Sequence, residues 1–304
     1  MNANAVVCGG SRGLGRAIAH ALAEAGYGVA ICARSKEEVE QVQGELTRLG
    51  VRVHAEVCDL RDEEQASRFI AAAEEVLGPI DVLVANAATI SVAPIEARSS
   101  TDFDDAMRST FYTALHPVLA AIPRMRARKR GTIAIVTSIG GLVGVPHLAP
   151  YSVAKFATVG LAESLGAELR KDGIHVLTIV PGLMRTGSHV RATFKGDPAR
   201  EYAWFAAGAI TPLLSIDADA AARRIVRAIE RKKKRLVLTA PARIAARLHD
   251  LVPELFEFVL EVAGALLPTA PERTSEAEGR ALASTGPKAL ERRTRTLAAR
   301  HAQW

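Results

Sequence analysis

The stretch AVVCGGSRGLG, residues 5–15, decides the fold of this chain. It starts as a short apolar run, continues through glycines at positions 9, 13 and 15, and leads into an alanine-rich segment of helical length. Glycine permits tight turns and close backbone approach, and the first N–H groups of a helix attract anions. The stretch therefore predicts a strand, a phosphate-binding turn and a helix. The spacing GxxxGxG differs from GxGxxG, and no GKS or GKT follows, which disfavours a P-loop hydrolase.

Outward from this stretch, apolar runs alternate with amphipathic segments of helical length. The predicted strands are residues 5–8, 29–33, 52–57, 82–85, 132–137, 175–180 and 236–239. Two of them, VLVA at 82–85 and IAIV at 133–136, are continuously apolar, as expected for strands covered on both faces. The predicted fold class is α/β, a doubly wound parallel sheet of Rossmann type with about seven strands. A helical C-terminal extension follows it.

The pattern divides the chain into three parts. We expect a dinucleotide-binding and catalytic domain over residues 1–240, an amphipathic helical extension over 241–267, and a charged, weakly ordered tail over 268–304. The apolar stretch 251–267 is short for a membrane span, and Glu254, Glu257 and Glu261 share one face. Basic residues upstream leave peripheral contact with an anionic membrane as an alternative, which this acidic face disfavours. Packing against the enzyme or a second subunit is favoured.

Composition agrees with a globular enzyme. Of 304 residues, 49% are hydrophobic and 24% charged, too apolar overall for a disordered chain. Cys8, Cys32 and Cys58 are widely spaced near predicted strand ends, so they predict buried packing and neither a disulfide nor a metal site. The excess positive charge lies largely after residue 220, so no nucleic-acid partner is expected. The first strand leaves no room for a signal segment, and we expect a cytoplasmic protein.

Two arginines predict the preferred cofactor. The second strand ends in Ala33-Arg34-Ser35, where an acidic residue would bind a ribose 2′-hydroxyl and an arginine accommodates a 2′-phosphate. Arg12, inside the glycine loop, is a second cation of this kind. Each arginine alone is also explained as solvated surface charge. Their joint placement predicts NADP(H), with NAD(H) as the alternative.

The candidate catalytic group is Tyr151-Ser152-Val153-Ala154-Lys155, preceded by Ser138 at the end of a predicted strand. Positions i and i+4 share a helix face, so we expect the Lys155 cation to favour the Tyr151 phenolate. Tyr151 is then the acid/base of a hydride transfer, and Ser138 holds the substrate oxygen.

These motifs, in this order, resemble those of the short-chain dehydrogenase/reductase family over about residues 5–240. The resemblance implies hydride transfer between a nicotinamide and a small-molecule carbonyl or alcohol, no metal, and a homodimer or homotetramer. It implies that the cofactor contacts Gly9, Ser11, Arg12, Gly13, Leu14, Gly15, Arg34, Asp59, Leu60, Asn86, Ala87, Tyr151, Lys155, Pro181, Gly182 and Thr186.

The chain departs from the family pattern at three positions. Cys8 replaces threonine, Ala88 replaces glycine, and Thr110 aligns with the asparagine that supports a water relay. The last departure leaves a second hypothesis open, a cofactor-binding regulatory or scaffold protein with little turnover. Retention of the Ser-Tyr-Lys group favours the enzyme.

Aromatic residues after Thr186 predict a hydrophobic substrate. They are Phe194, Tyr202, Trp204 and Phe205. Packing of a lid or a subunit interface explains them equally well.

Overall fold

The computed structural model describes residues 3–211, 215–272, 274–284 and 288–304. The strands are β1 (Asn4–Cys8), β2 (Gly28–Ala33), β3 (Val53–Val57), β4 (Val82–Ala85), β5 (Ser91–Val92), β6 (Gly131–Val136), β7 (Ile174–Val180), β8 (Leu183–Arg185), β9 (Thr193–Gly196), β10 (Ser215–Asp217), β11 (Arg235–Val237) and β12 (Ser275–Glu278).

The helices are α1 (Gly13–Glu24), α2 (Lys36–Thr47), α3 (Glu63–Leu77), α4 (Ser100–Ala106), α5 (Thr113–Ala127), α6 (Ala149–Glu168), α7 (Pro198–Ile210), α8 (Ala218–Glu230), α9 (Ala240–Leu251), α10 (Pro253–Ala265), α11 (Gly279–Leu282) and α12 (Lys288–Arg300). A π-helical turn, Met107–Tyr112, joins α4 to α5.

The central sheet confirms the predicted fold class. It has seven strands in the order β11-β7-β6-β4-β1-β2-β3, and every pairing in it is parallel. All seven predicted strands are present, with ends shifted by at most two residues. Because the chain crosses over from one half of the sheet to the other after β3, the carboxyl ends of β1 and β4 border the crevice where such folds bind ligands.

Helices cover both faces of this sheet. One apolar layer joins it to α1, α2 and α8, and the other joins it to α3, α5 and α6. Buried alanines in α1 and α8, such as Ala19 and Ala222, allow these helices to lie close together. Cys8, Cys32 and Cys58 are free thiols buried in this core, as predicted.

The C-terminal region, predicted to be a charged, weakly ordered tail over 268–304, contains β12, α11 and α12. β12 pairs antiparallel with β9, and Ala283 and Ala298 join an apolar cluster with Phe194 and Tyr202. Charged composition predicts disorder only when a chain cannot bury enough apolar surface. Here the small apolar side chains pack against the loop after β8. Sequence patterns do not predict this contact.

Helix α10 has an amphipathic sequence, as predicted, but none of its residues is buried. Leu255, Phe258 and Val259 are each more than half exposed. Among the described residues, no helix is long and apolar enough to cross a membrane.

Candidate active site

The glycine loop, residues 9–15, joins β1 to α1 at the carboxyl edge of the sheet. Gly9 and Gly13 have φ values of +77° and +54°, which are unfavourable for residues that carry a side chain. A Cβ atom on Gly9 would come within 2.9 Å of Ala87, and one on Gly15 would overlap the Gly9 carbonyl oxygen. The loop therefore needs glycine both for its turn and for close packing.

A continuous cavity of about 1130 Å³ runs from this loop to Ser138 and Tyr151. It exceeds the roughly 300–1,000 Å³ usual for small-ligand sites, so it has room for a dinucleotide beside a substrate. Every residue predicted for the site lines it except Gly15, which packs beneath the loop against Gly9 and Asn86. The residues present thus fit a nicotinamide dinucleotide.

Two arginines and a serine line the end of the cavity that is expected to hold the adenosine ribose. Arg12, Arg34 and Ser35 line the cavity there. Glu38, in the first turn of α2, accepts hydrogen bonds from the Ser11 hydroxyl at 2.8 Å and from Arg12 Nη1 at 3.4 Å. The positive charge at this end is therefore partly compensated.

Asp59 also lines this end of the cavity. The Arg61 guanidinium lies 2.9 Å (Nε) from Asp59 Oδ2, and its hydrogen bonds hold the pKa of Asp59 below the ordinary value. The carboxylate is thus ionised and oriented before any ligand contacts it.

Asn86 directly follows β4 and connects it to the glycine loop. Its Nδ2 donates to the Gly9 carbonyl at 3.1 Å, which ties the end of β4 to the glycine loop. The neighbouring Ala87 carbonyl accepts from Thr113 Oγ1 at 2.9 Å. These bonds connect the glycine loop, the end of β4 and the start of α5 beside the crevice.

The three candidate catalytic side chains converge on the cavity. Ser138 follows β6, where its hydroxyl accepts from the Gly140 N–H at 3.1 Å. Tyr151 and Lys155 lie one turn apart on α6, with Lys155 Nζ 5.8 Å from the centre of the Tyr151 ring. Lys155 Nζ donates to the Val136 carbonyl at 2.9 Å. A strand end and a helix start thus bring together residues thirteen positions apart in sequence.

Burial controls the protonation of this group. It raises the pKa of Tyr151 above 10.0, and a hydrogen bond with Ser138 opposes the shift. Burial also lowers the pKa of Lys155 to about 7. We expected the lysine charge to favour the phenolate, but here the cost of removing charge from water dominates. At neutral pH the tyrosine is a protonated acid.

The loop after β7 closes the opposite end. A Cβ on Gly182 would come into contact with Thr239, so the loop needs glycine there. Thr186 is 2% exposed, and its hydroxyl accepts from the Ser188 N–H at 3.1 Å. Pro181, Gly182 and Thr186 therefore border the cavity from the two ends of β8.

The four predicted aromatic residues divide between two roles. Trp204 and Phe205 line the cavity, whereas Phe194 and Tyr202 are fully buried in the cluster beneath them. The Glu201 carboxylate accepts from Trp204 Nε1 at 2.8 Å and bonds His147 Nδ1 at 2.9 Å. Two of the four aromatic side chains thus border the cavity, and two are buried beneath it.

Thr110 lies inside the π-helical turn and is 1% exposed. Its hydroxyl has no hydrogen-bond partner among the described residues. Ser109 lines the cavity instead, and its Oγ is 2.6 Å from Thr89 Oγ1. The position that aligns with the family asparagine is thus filled by a hydroxyl that points into protein.

Sequence patterns do not predict several of the residues that line the cavity. They are Glu38, Arg191, Arg280, Gln303 and Trp304. No motif or spacing marks them, and three of the five follow the region that carries the family pattern. A basic residue in a charge-rich segment is ordinarily solvated surface, so only the tertiary structure could have found them.

A family model described as short chain dehydrogenase matches residues 3–195. A dehydrogenase/reductase SDR family protein 7-like from Anopheles gambiae is 32% identical over 264 residues, which are 84% of this chain and 81% of that protein. A 3-oxoacyl-acyl-carrier-protein reductase from Aggregatibacter actinomycetemcomitans is 34% identical over 190 residues, 61% of this chain and 78% of the relative.

Among solved structures, an actinorhodin polyketide ketoreductase variant with NADPH aligns with a TM-score of 0.69 at 25% identity. The alignment covers 79% of this chain and 97% of that one. Fold and site together define an oxidoreductase that uses a nicotinamide cofactor and acts on carbonyl or alcohol groups. The chain belongs to the short-chain dehydrogenase/reductase family.

Proposed function

We propose that this protein uses NADPH to reduce the carbonyl group of a hydrophobic small molecule. The observation that carries the proposal is the convergence of Ser138, Tyr151 and Lys155 on a cavity whose far end holds Arg12 and Arg34. Acid/base chemistry and phosphate recognition thus share one continuous space.

The proton-transfer step follows from the site residues. A bound nicotinamide supplies the hydride. Tyr151 is protonated at neutral pH because burial raises its pKa, so its hydroxyl can donate to the developing alkoxide. Ser138, adjacent to Tyr151, holds the same oxygen by hydrogen bonding. Lys155 lies one helical turn from the tyrosine, with Nζ 5.8 Å from the ring centre, and alcohol oxidation is the same transfer reversed.

The NADP preference rests on the cations near the adenosine end. Arg34 follows β2 where an acidic residue would select a free 2′-hydroxyl, and its fork suits a phosphate. Glu38 already compensates part of the Arg12 charge, so Arg34 is the principal candidate for the 2′-phosphate. The structural relative with NADPH is consistent with this choice.

The proposal that the substrate is hydrophobic is based on the cavity wall beside Tyr151. The apolar side chains there are Ile90, Val145, Leu148, Trp204, Phe205 and Ala209. Burial of apolar substrate surface against such a wall contributes roughly 25 cal/mol per Å².

A cytoplasmic location, a homo-oligomer and a domain boundary near residue 240 remain predictions.

The first test is NADPH oxidation against a panel of hydrophobic ketones, aldehydes and quinones, with an NADH arm. We expect turnover that favours NADPH and that falls by about 10²–10⁴ in Tyr151→Phe, with NADPH binding retained. Tight NADPH binding without turnover across the panel would contradict the reductase and favour the regulatory hypothesis, which the buried Thr110 hydroxyl supports.

A further inference from the structure

The end of the chain forms part of the cofactor cavity. Gln303 and Trp304 line it together with the glycine loop, and so does Arg280 of α11. We refer to residues 298–304 as the C-terminal segment. It lies more than 280 positions from the glycine loop in sequence and outside residues 3–195, which match the family model.

The C-terminal segment is docked by hydrogen bonds to the cofactor-binding loops. The Gly13 N–H donates to the His301 carbonyl at 2.8 Å. Arg191 donates from Nε to the Gln303 carbonyl at 2.7 Å and from Nη2 to the Trp304 main-chain oxygen at 2.6 Å. His301 and Gln303 are 1% and 3% exposed. The segment is therefore an integral wall of the cavity.

The Gln303 side chain lies beside the glycine loop, which is expected to bind the pyrophosphate. A Cβ added to Gly13 would lie 2.5 Å from Gln303 Nε2 and 3.9 Å from the Thr186 Cβ. The carboxamide thus stands beside the glycine loop, on the side that faces Thr186. Its N–H₂ group is a hydrogen-bond donor suited to a phosphate oxygen.

Positive charge converges on the same wall. Burial lowers the pKa of Arg191, and the nearby charges of Arg12 and Arg280 lower it further, while Glu38 and Glu278 oppose this shift. Arg191 Nη2 lies 3.1 Å from Glu38 Oε1. The Glu38 carboxylate offsets part of the repulsion between these guanidinium groups, and a bound phosphate would offset more of it.

The C-terminal segment leaves space for the cofactor. The cavity measures about 1130 Å³ with the segment docked, so the segment bounds the cavity and does not fill it. The total volume is sufficient for a dinucleotide with the segment docked.

We propose that the C-terminal segment and Arg280 form a second wall of the pyrophosphate site, in which Gln303 donates a hydrogen bond and Arg191 and Arg280 supply charge. This inference rests on the proposed NADPH-dependent function. It assigns cofactor-binding residues to the C-terminal region.

The test is the dissociation constant of NADPH, measured on the full-length protein by energy transfer from protein tryptophan to the nicotinamide. Gln303→Ala removes the donor but keeps the main-chain carbonyl that binds Arg191. We expect about tenfold weaker binding, the usual effect of losing a hydrogen bond to a charged group. Arg280→Ala should weaken binding about threefold, and added salt should shrink the difference because this side chain is exposed.

Arg292→Ala is the matched control, since Arg292 is exposed on α12 and does not line the cavity. It removes the same charge and should leave the dissociation constant unchanged. Unaltered thermal unfolding without nucleotide verifies that each variant is folded.

Tighter binding by Gln303→Ala would overturn the inference and identify the segment as a competitor of the cofactor. Equal binding by wild type, Gln303→Ala and Arg280→Ala would overturn it too, leaving the proposed function intact. Failure of wild type to bind NADPH at all would refute the proposed cofactor and, with it, this inference.

Discussion

At the scale of single residues, burial dominates the chemistry of the candidate site. Tyr151 and Lys155 occupy the same helix face, yet Lys155 Nζ bonds the Val136 carbonyl, and burial shifts the pKa of both groups toward their neutral forms. A spacing rule predicts proximity but not the desolvation that comes with it.

The depressed pKa of Lys155 makes stability depend on pH. Its folded pKa is about 7, against an ordinary value of 10.5, so the unfolded chain binds more protons between these values. Stability therefore rises with pH from about 7 to about 10. The unfolding temperature of the nucleotide-free wild type, measured relative to that of Lys155→Met, should therefore increase as the pH rises from about 7 to about 10. A difference in unfolding temperature between the two proteins that stays constant over this pH range would contradict the lowered pKa of Lys155.

The charge of Arg34 predicts which cofactor binds better. Arg34→Asp places a carboxylate where the 2′-phosphate is expected, so NADPH should bind at least tenfold more weakly and NADH should bind more tightly. The ratio of kcat/KM for the two cofactors measures this. Arg68→Asp is the control, since Arg68 is exposed on α3 beside Glu64, and it should leave the ratio unchanged. An unchanged ratio in Arg34→Asp would remove that residue from the 2′-phosphate site.

At the scale of elements, the junction of β1 with α1 depends on close backbone packing. Gly15 faces the Gly9 carbonyl and Asn86 Nδ2 across a gap with no space for a methyl group. Gly44 lies within α2, where the nearest atom to an added Cβ, Arg48 Nη2, is 3.9 Å away. Gly15 and Gly44 both lie in helices, but only Gly15 is crowded, so the same substitution at the two positions tests the effect of crowding.

Gly15→Ala should destabilise the protein by about 2–4 kcal/mol, because the loop or the helix must move. Gly44→Ala should stabilise it by about 0.5–1 kcal/mol, because alanine loses less entropy in a helix. Denaturant unfolding measures both. Similar effects of the two substitutions would show that the loop accommodates a side chain at position 15.

At the scale of the whole molecule, the C-terminal region completes a site that the central sheet begins. The Arg300 guanidinium bonds Asp217 and Asp219 at the start of α8, and α12 packs on the loop after β8 through His189 and Thr294. These contacts connect parts of the chain that lie far apart in sequence.

The contact of His189 with α12 should weaken in acid. His189 is 1% exposed, its Nε2 lies 2.9 Å from Thr294 Oγ1, its ring is 5.8 Å from the Tyr202 ring, and burial lowers its pKa to about 4. A detached histidine titrates near 6.5. Docking should therefore lose stability as pH falls from about 6.5 toward 4.

Limited proteolysis of residues 279–304 should accelerate over this range in wild type. His189→Gln keeps a polar side chain but does not titrate, so its cleavage should be less sensitive to pH. Equal acceleration in both proteins would attribute the effect to other groups.

By itself, the sequence determined the seven-stranded sheet, the glycine loop and the Ser-Tyr-Lys group, because local periodicity and short motifs carry those features. Ser138, Tyr151 and Lys155 were predictable since a strand end and one helical turn bring them together. Arg191, Arg280 and Gln303 were not, since no local pattern indicates where a charged C-terminal region docks. Only the tertiary structure decided that docking and the burial that sets the pKa values of Tyr151 and Lys155, because both depend on contacts between residues far apart in sequence.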